Sequence, residues 1–244
     1  AVFVIGVSCW LLWKKRNTDV AVKSLKIASW FGFAGMVMTL YTGDGSAVEV
    51  ARVQPMKLAA MEGLYDGKVG QELVAFGITN PEKKAGDDLD PMLFEVSIPY
   101  GLSVLANHDA HSFVPGINDL IAGRAINADG DTVNTVSYDE RIAIGKAARQ
   151  ALKEFGEAKA AGDTAAMNAA RSELMAGFKY FGYGYFDSVD EAVPPVGLTF
   201  YSFRVMVIAG GYLFALFIAL LFICYRSRKF LELSLIHISE PTRH

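Results

Sequence analysis

The sequence predicts an integral membrane protein that is all-α within the bilayer, with transmembrane helices flanking a long extracytoplasmic loop that carries an α+β fold of its own. Three observations lead there. Only 20% of the residues are charged and the mean hydropathy is +0.27, more apolar than an ordinary water-soluble chain. Charge is unevenly spread: residues 42–197 hold 13 Lys and Arg against 23 Asp and Glu, a net of −10, while the remainder carries +7. Val205 to Tyr225 is a run of 21 residues without a charge, closed by Arg226, Arg228 and Lys229. That length crosses a hydrocarbon layer of about 30 Å. The acidic middle offers no basic patch, which excludes nucleic acid as a partner. Cys9 and Cys224 both lie in apolar stretches, so neither a disulfide framework nor a cysteine-rich metal centre is available.

The elements follow in order. Residues 1–13 are uncharged and apolar but too short to span, and with no initiator Met or basic region ahead of them they read as a truncated transmembrane helix rather than a signal peptide. Residues 14–26, with Lys14, Lys15, Arg16, Lys23 and Lys26, form a basic cytoplasmic loop. Residues 27–43 are a second span, with Trp30, Phe31 and Phe33 near one end and Tyr41 near the other, as interfacial aromatics would be placed. Residues 44–197 are the long loop, 198–225 the third span and 226–232 a cytoplasmic end. Basic clusters favour the cytoplasmic side, so three spans put the acidic loop outside. Residues 233–244 share neither the composition nor the periodicity of what precedes them and resemble translated sequencing-adapter read-through. They are treated as a non-native tail, which removes His237 and His244 from any site and implies that the natural chain continues past Phe230.

Within the loop, Gln54-Pro55 opens a short helix expected to run to about Tyr65, since proline suits the first helical position. Residues 72–78 and 92–98 read as two strands joined through Asn80-Pro81 into a hairpin. Ser137 and Glu140 have capping-box spacing ahead of an amphipathic helix that Gly162 closes, and Asp163 caps another that ends in the aromatic run Phe178 to Phe186.

Several groupings invite a chemical reading. His108 and His111 have the spacing of a metal pair, but residues 101–119 are too rich in Gly, Asn, Asp and Pro for a confident helix and no third ligand is near. Gly182-Tyr-Gly184 lacks the third glycine and preceding strand of a nucleotide loop, and Asn127 to Asp131 lacks the ligand order of a calcium loop and is a turn. Lys57 and Glu62 are five apart, about 140° around a helix, so they do not pair with each other; two solvated charges would be their ordinary fate. Arg204 and Met206 suit a propionate-bearing cofactor at the edge of a membrane helix, methionine being an axial ligand of haem iron. A snorkelling arginine and a packed methionine are the plainer reading.

Taken together, Lys57-Leu-Ala-Ala-Met-Glu62, Phe76-Gly-Ile, Ile98-Pro-Tyr100, Gly182-Tyr-Gly184 and Phe203-Arg-Val-Met206 resemble subunit I of the bacterial cytochrome bd quinol oxidases, over about residues 1–232. The resemblance implies that the loop is the family's quinol-binding Q-loop. It implies that Lys57 and Glu62 bind quinol, with Glu62 as the catalytic proton acceptor. It further implies that Met206 is an axial ligand of the low-spin haem b and that Arg204 lies beside that haem. It carries with it a second haem b and a haem d in the full-length protein, an oxidase subunit II and a small accessory subunit as partners, membrane lipid around the helices, and a bacterial inner-membrane location. The histidine that would face Met206 and the Gly-Arg-Gln-Pro-Trp motif are not in the sequence, so the chain is expected to be an inactive middle fragment. The rival reading is an extracytoplasmic ligand-sensing module held by flanking transmembrane helices.

Overall fold

The computed structural model describes residues 1–126 and 132–226. The chain falls into two compact units. One comprises residues 1–45 and those from Val205 onward; the other is Ser46–Arg204.

The first unit is helical. α1 (Val2–Trp13) is followed by a tight turn at Lys14–Asn17, in which Lys15 and Asn17 take left-handed backbone angles, and then by α2 (Thr18–Val53), the first part of which belongs to this unit. The basic loop expected over residues 14–26 is therefore shorter. Lys23 and Lys26 lie inside a continuous 36-residue helix, about 54 Å long, which also runs through the expected span end at Gly43. α9 (Val196–Arg226) supplies the rest of the unit. Its core is Ile5, Leu25, Ala28, Phe217 and Cys224. Gly32 has no substitute there, because a Cβ would stand 2.2 Å from the Phe217 ring. Phe33 stacks on Phe214 at 5.7 Å, and Trp30 donates a 3.0 Å hydrogen bond to the Tyr225 hydroxyl. Among the described residues two helices are long and apolar enough to cross a membrane, those containing α2 and α9; α1 is apolar but has 12 residues. The tail of residues 233–244, and all but Arg226 of the end at 226–232, lie outside the described residues.

The second unit is α+β. α3 (Pro55–Glu62) begins on Pro55 as expected but stops at Glu62, where Gly63 at φ 65° turns the chain away. β1 (Lys68–Val69) and β2 (Leu73–Thr79) follow, then β3 (Met92–Ile98), α4 (Gly101–Asn107), β4 (Phe113–Val114), α5 (Ile117–Ala122), β5 (Arg124–Ile126) and β6 (Thr132–Asn134). β2 and β3 form the expected antiparallel hairpin, with Leu73 opposite Ile98 and Ile78 opposite Phe94, and two more two-stranded pairs join β1 to β4 and β5 to β6. The proposed turn at 127–131 lies outside the described residues. α6 (Tyr138–Ala161) carries the predicted capping box: the Glu140 amide donates to Ser137 Oγ, and the Ser137 amide donates to the Glu140 carboxylate. Asp163 accepts from the Ala165 and Ala166 amides to start α7 (Thr164–Gly177).

Two features were not foreseen. α4 forms in a stretch whose composition argued against a helix; the backbone carbonyl of Gln71 accepts from the Leu102 and Ser103 amides and supplies the cap that its own sequence lacks. Gly182-Tyr-Gly184 sits in a 3-10 segment (Phe178–Tyr185), where Gly184 meets Gly145 of α6 backbone to backbone, so closely that a Cβ on either would lie 2.3 Å from the other's backbone. That glycine serves helix packing. The core gathers Met56, Leu58 and Ala59 of α3 with Leu102, Val114, Ile117, Leu120 and Tyr138.

Candidate functional site

α3 is the centre of the site because nearly every residue of it is inside: Met56, Leu58, Ala59, Ala60 and Glu62 are all buried, and Lys57 is exposed. An eight-residue helix of such low amphipathicity stays in place through tertiary packing rather than through its own propensity. Its last residue is a carboxylate that is 2% exposed.

The partner of Glu62 comes from 142 positions further on. Arg204 Nη2 meets Glu62 Oε2 at 2.6 Å and Nη1 meets Oε1 at 3.3 Å, a two-pronged pair with side-chain exposures of 10% and 1%. The guanidinium also lies 4.5 Å from the centre of the Phe200 ring and 5.3 Å from that of Phe203. Its remaining donor, Nε, is buried with no hydrogen-bond partner among the described residues. Gly63 makes room here: a Cβ would strike Met92 of β3 at 2.5 Å and approach Phe200 at 3.5 Å. The hairpin is tied to the start of α9 by the Thr79 amide, which donates 3.1 Å to the Tyr201 hydroxyl. Burial pushes the Glu62 carboxyl above its ordinary range, and the hydrogen bond and charge of Arg204 pull it back without cancelling the rise.

Beside Glu62 is a cavity of about 200 Å³. Its lining grades from buried to exposed, from Glu62 and Gln71 through half-buried Glu72 and Ser97 to Lys68 and Glu95 at the surface. Glu72 is held by Lys68 at 2.5 Å and accepts from the Ser97 hydroxyl, and these contacts lower its pKa.

The expected site residues are only partly brought together. Glu62 and Arg204, assigned on sequence to different ligands, are in direct contact. Lys57 is on the outer side of α3, does not line the cavity and makes no side-chain ion pair or hydrogen bond among the described residues. A single small ring in this cavity therefore does not reach both. Met206 is 61% exposed on α9, and Gly210, one turn on, has nothing within 4 Å of where a Cβ would stand. A thioether on an open helix face and an unpartnered Arg204 Nε–H are groups of the kinds that a propionate-bearing macrocycle would take. Of the chain's four histidines, His108 and His111 lie outside α1, α2 and α9, and His237 and His244 lie outside the described residues. His108 ends α4 in a left-handed conformation, and His111 packs edge-on against Tyr100. Among the described residues no three potential ligands cluster to hold a metal ion. Gln71, Glu72 and Ser97 were missed by sequence reasoning; no motif marks them, and only the fold of the hairpin brings them to Glu62.

Apolar helices long enough to span a bilayer, joined to an α+β unit with a buried arginine–carboxylate pair, are features of a membrane protein. The model of the family described as cytochrome bd terminal oxidase subunit I matches residues 1–242, and the chain belongs to that family of membrane-bound respiratory oxidases, for which haem is expected. It is similar to the cytochrome bd-II ubiquinol oxidase subunit 1 of Escherichia coli, with 30% identity over 227 residues, covering 87% of this chain and 40% of the relative. It is 29% identical over 161 residues to the cytochrome bd ubiquinol oxidase subunit 1 of Bacillus subtilis, covering 64% and 33%. The solved bd oxidase of Geobacillus thermodenitrificans aligns with a TM-score of 0.43 at 19% identity, covering 93% of this chain and 54% of that one. The chain thus spans less than half the length of these curated relatives. Membership of this family displaces the sensing-module reading.

Proposed function

We propose that the chain forms the quinol-oxidising part of a cytochrome bd oxidase, with Glu62 as the group that takes a proton from the quinol. The observation that carries this is the buried Glu62–Arg204 pair opening on a polar cavity. Oxidising a quinol to a quinone releases two electrons and two protons, so the site needs a base that is shielded yet able to ionise. Arg204 keeps the Glu62 carboxylate accessible in its charged form, while burial gives it enough proton affinity to compete for a quinol hydroxyl.

Lys57, exposed and uncommitted, offers a donor to a quinol oxygen at the outer side of α3, an approach contact rather than a second grip on the same buried ring. The names of two relatives specify ubiquinol and that of a third menaquinol, and quinol is the substrate class proposed here. Met206 would hold a b haem, and Arg204 would offer its Nε–H to a propionate. When bound, that haem supplies the acceptor for the quinol's electrons. Oxygen reduction, a second haem b and haem d, subunit II and a small accessory subunit complete the proposed whole, with the loop of residues 44–197 outside the bacterial inner membrane.

The test is made in the assembled oxidase carrying this sequence. Glu62→Gln keeps shape and hydrogen-bonding capacity but accepts no proton, and quinol turnover should fall by about 10²- to 10⁴-fold with haem content intact. Lys57→Ala should act mainly on binding, by about 1.5–3 kcal/mol. An artificial reductant that feeds the haems directly should restore oxygen consumption in both. Unchanged quinol kinetics in both variants would refute the site.

A further inference from the structure

We infer that the cavity beside Glu62 is the exit by which the quinol's protons leave, with Gln71 and Ser97 lining the way and Glu72 as the relay that hands them to solvent. The inference rests on reading Glu62 as the proton acceptor, and it concerns what happens after that transfer.

A carboxylate that accepts a proton at every turnover must lose it again, and Glu62, at 1% side-chain exposure, has no direct contact with bulk water. Its other neighbours close the way out. Arg204 is a fixed cation that carries no proton away, and Met56, Leu58, Ala59 and Leu64 form an apolar core. The cavity is the polar side. It has room for several waters, each needing two to four polar partners, and its wall provides them: Gln71, Ser97, Glu72, Glu95, Asp66 and Lys68.

Gln71 is 9% exposed, and its Oε1 has no hydrogen-bond partner among the described residues. Its backbone is fully used, the amide donating 2.7 Å to Ser103 Oγ and the carbonyl capping α4. The orphaned acceptor is thus fixed beside the cavity rather than loose. Buried polar groups without partners are rare and costly, and one that lines a cavity next to a buried carboxylate suits a water contact.

Glu72 has the properties of a terminal relay. Lys68 and Ser97 hold it ionised, so it presents a standing negative charge at the mouth and retains a proton poorly. The step is a proton transfer alone. The O–H bond of the Glu62 carboxylic acid breaks as an O–H bond to water forms, and water passes a proton to the Glu72 carboxylate, which releases it to solvent. The quinol's electrons leave separately and take no part in this step. The charged groups facing this route are Arg204 on Glu62, Lys68 on Glu72, and Asp66 and Glu95 at the rim.

The experiment uses the assembled, haem-loaded oxidase. Glu72→Gln should lower kcat for quinol by about tenfold, leave KM within about twofold, and raise the solvent deuterium isotope effect. Added formate, a small carboxylate that can enter the cavity, should restore turnover in Glu72→Ala. Ser97→Ala keeps the carboxylate but removes its hydrogen bond, so it should shift the pH profile and lower kcat less. It decides the matter if the Glu72 variants lose haem. Glu157→Gln, on the exposed face of α6, should match the parent. Parental kcat and isotope effect in both Glu72→Gln and Ser97→Ala would overturn the exit while leaving the site standing, provided that Glu62→Gln is impaired. A normal Glu62→Gln would overturn the site itself.

Discussion

Lys83 and Asp87 sit four residues apart and meet at 2.8 Å, whereas Glu62 and Arg204 meet at 2.6 Å across 142 positions. Both pairs include a nearly inaccessible side chain, Lys83 at 3% and Glu62 at 1%. In the local pair every group is answered. Lys83 Nζ also donates 2.6 Å to the Asp87 carbonyl and lies 5.0 Å from the Tyr65 ring centre, and the Asp87 carboxylate accepts from the Lys84 and Leu89 amides. These contacts hold Asp87 below its ordinary pKa. In the distant pair Arg204 Nε is unanswered, and burial raises the Glu62 pKa against the opposing pull of Arg204. Saturated charges build a turn. An incompletely satisfied pair, facing a cavity, keeps chemical capacity in reserve.

The sharpest way to break this contrast is to remove one cation from each pair. Arg204→Leu strands a carboxylate in an apolar surround, which should cost about 3–5 kcal/mol or force Glu62 to stay protonated. In either case quinol turnover should collapse, and chemical denaturation together with quinol kinetics will show it. Lys83→Met leaves behind a part-exposed Asp87 that keeps its two amide donors, and should cost less, about 1–3 kcal/mol, with quinol kinetics unchanged. Equal losses from the two variants, in stability and in turnover, would erase the distinction.

The smallest effect expected is on the pH dependence of stability. The folded-state pKa of Glu62 is raised, so the native protein binds more protons than the unfolded chain once pH exceeds the ordinary value of 4.5. Stability contributed by this group is complete below that value and is lost as pH rises through the raised pKa. Asp87 has the opposite sign: its contribution is present above its ordinary 3.8 and disappears as pH falls through the lowered pKa. Denaturation curves at several pH values should therefore flatten on the alkaline side in Glu62→Gln and on the acid side in Asp87→Asn. The same slope change in both would show that the two carboxylates share one environment.

Local instructions were legible wherever the deciding atoms are close in sequence. The Ser137–Glu140 box, the Asp163 cap, Pro55 at a helix start and the strand at 92–98 all stand where the spacing of residues placed them. The helix that contains the expected span at 27–43 is longer than that span, running Thr18–Val53. Glu49 and Arg52 support each other three residues apart, and Thr39 and Thr42 bond back to helix carbonyls, so the helix continues through Gly43 and Gly45. α4 was missed because its cap comes from Gln71, thirty residues earlier.

By itself the sequence determined the apolar helices, the acidic character of the intervening unit, the caps, and, through the motifs that resemble one family, the residues worth watching. Those are properties of composition and of spacings within a few turns. Only tertiary structure decided that Glu62 and Arg204 act on each other, that Lys57 stands apart from them, and that Gln71, Glu72 and Ser97 line a cavity at Glu62. The proton affinity of a buried carboxylate depends on the cation, the dipoles and the solvent around it, and here these come from α9, β2 and β3, brought together by packing across 142 positions of chain.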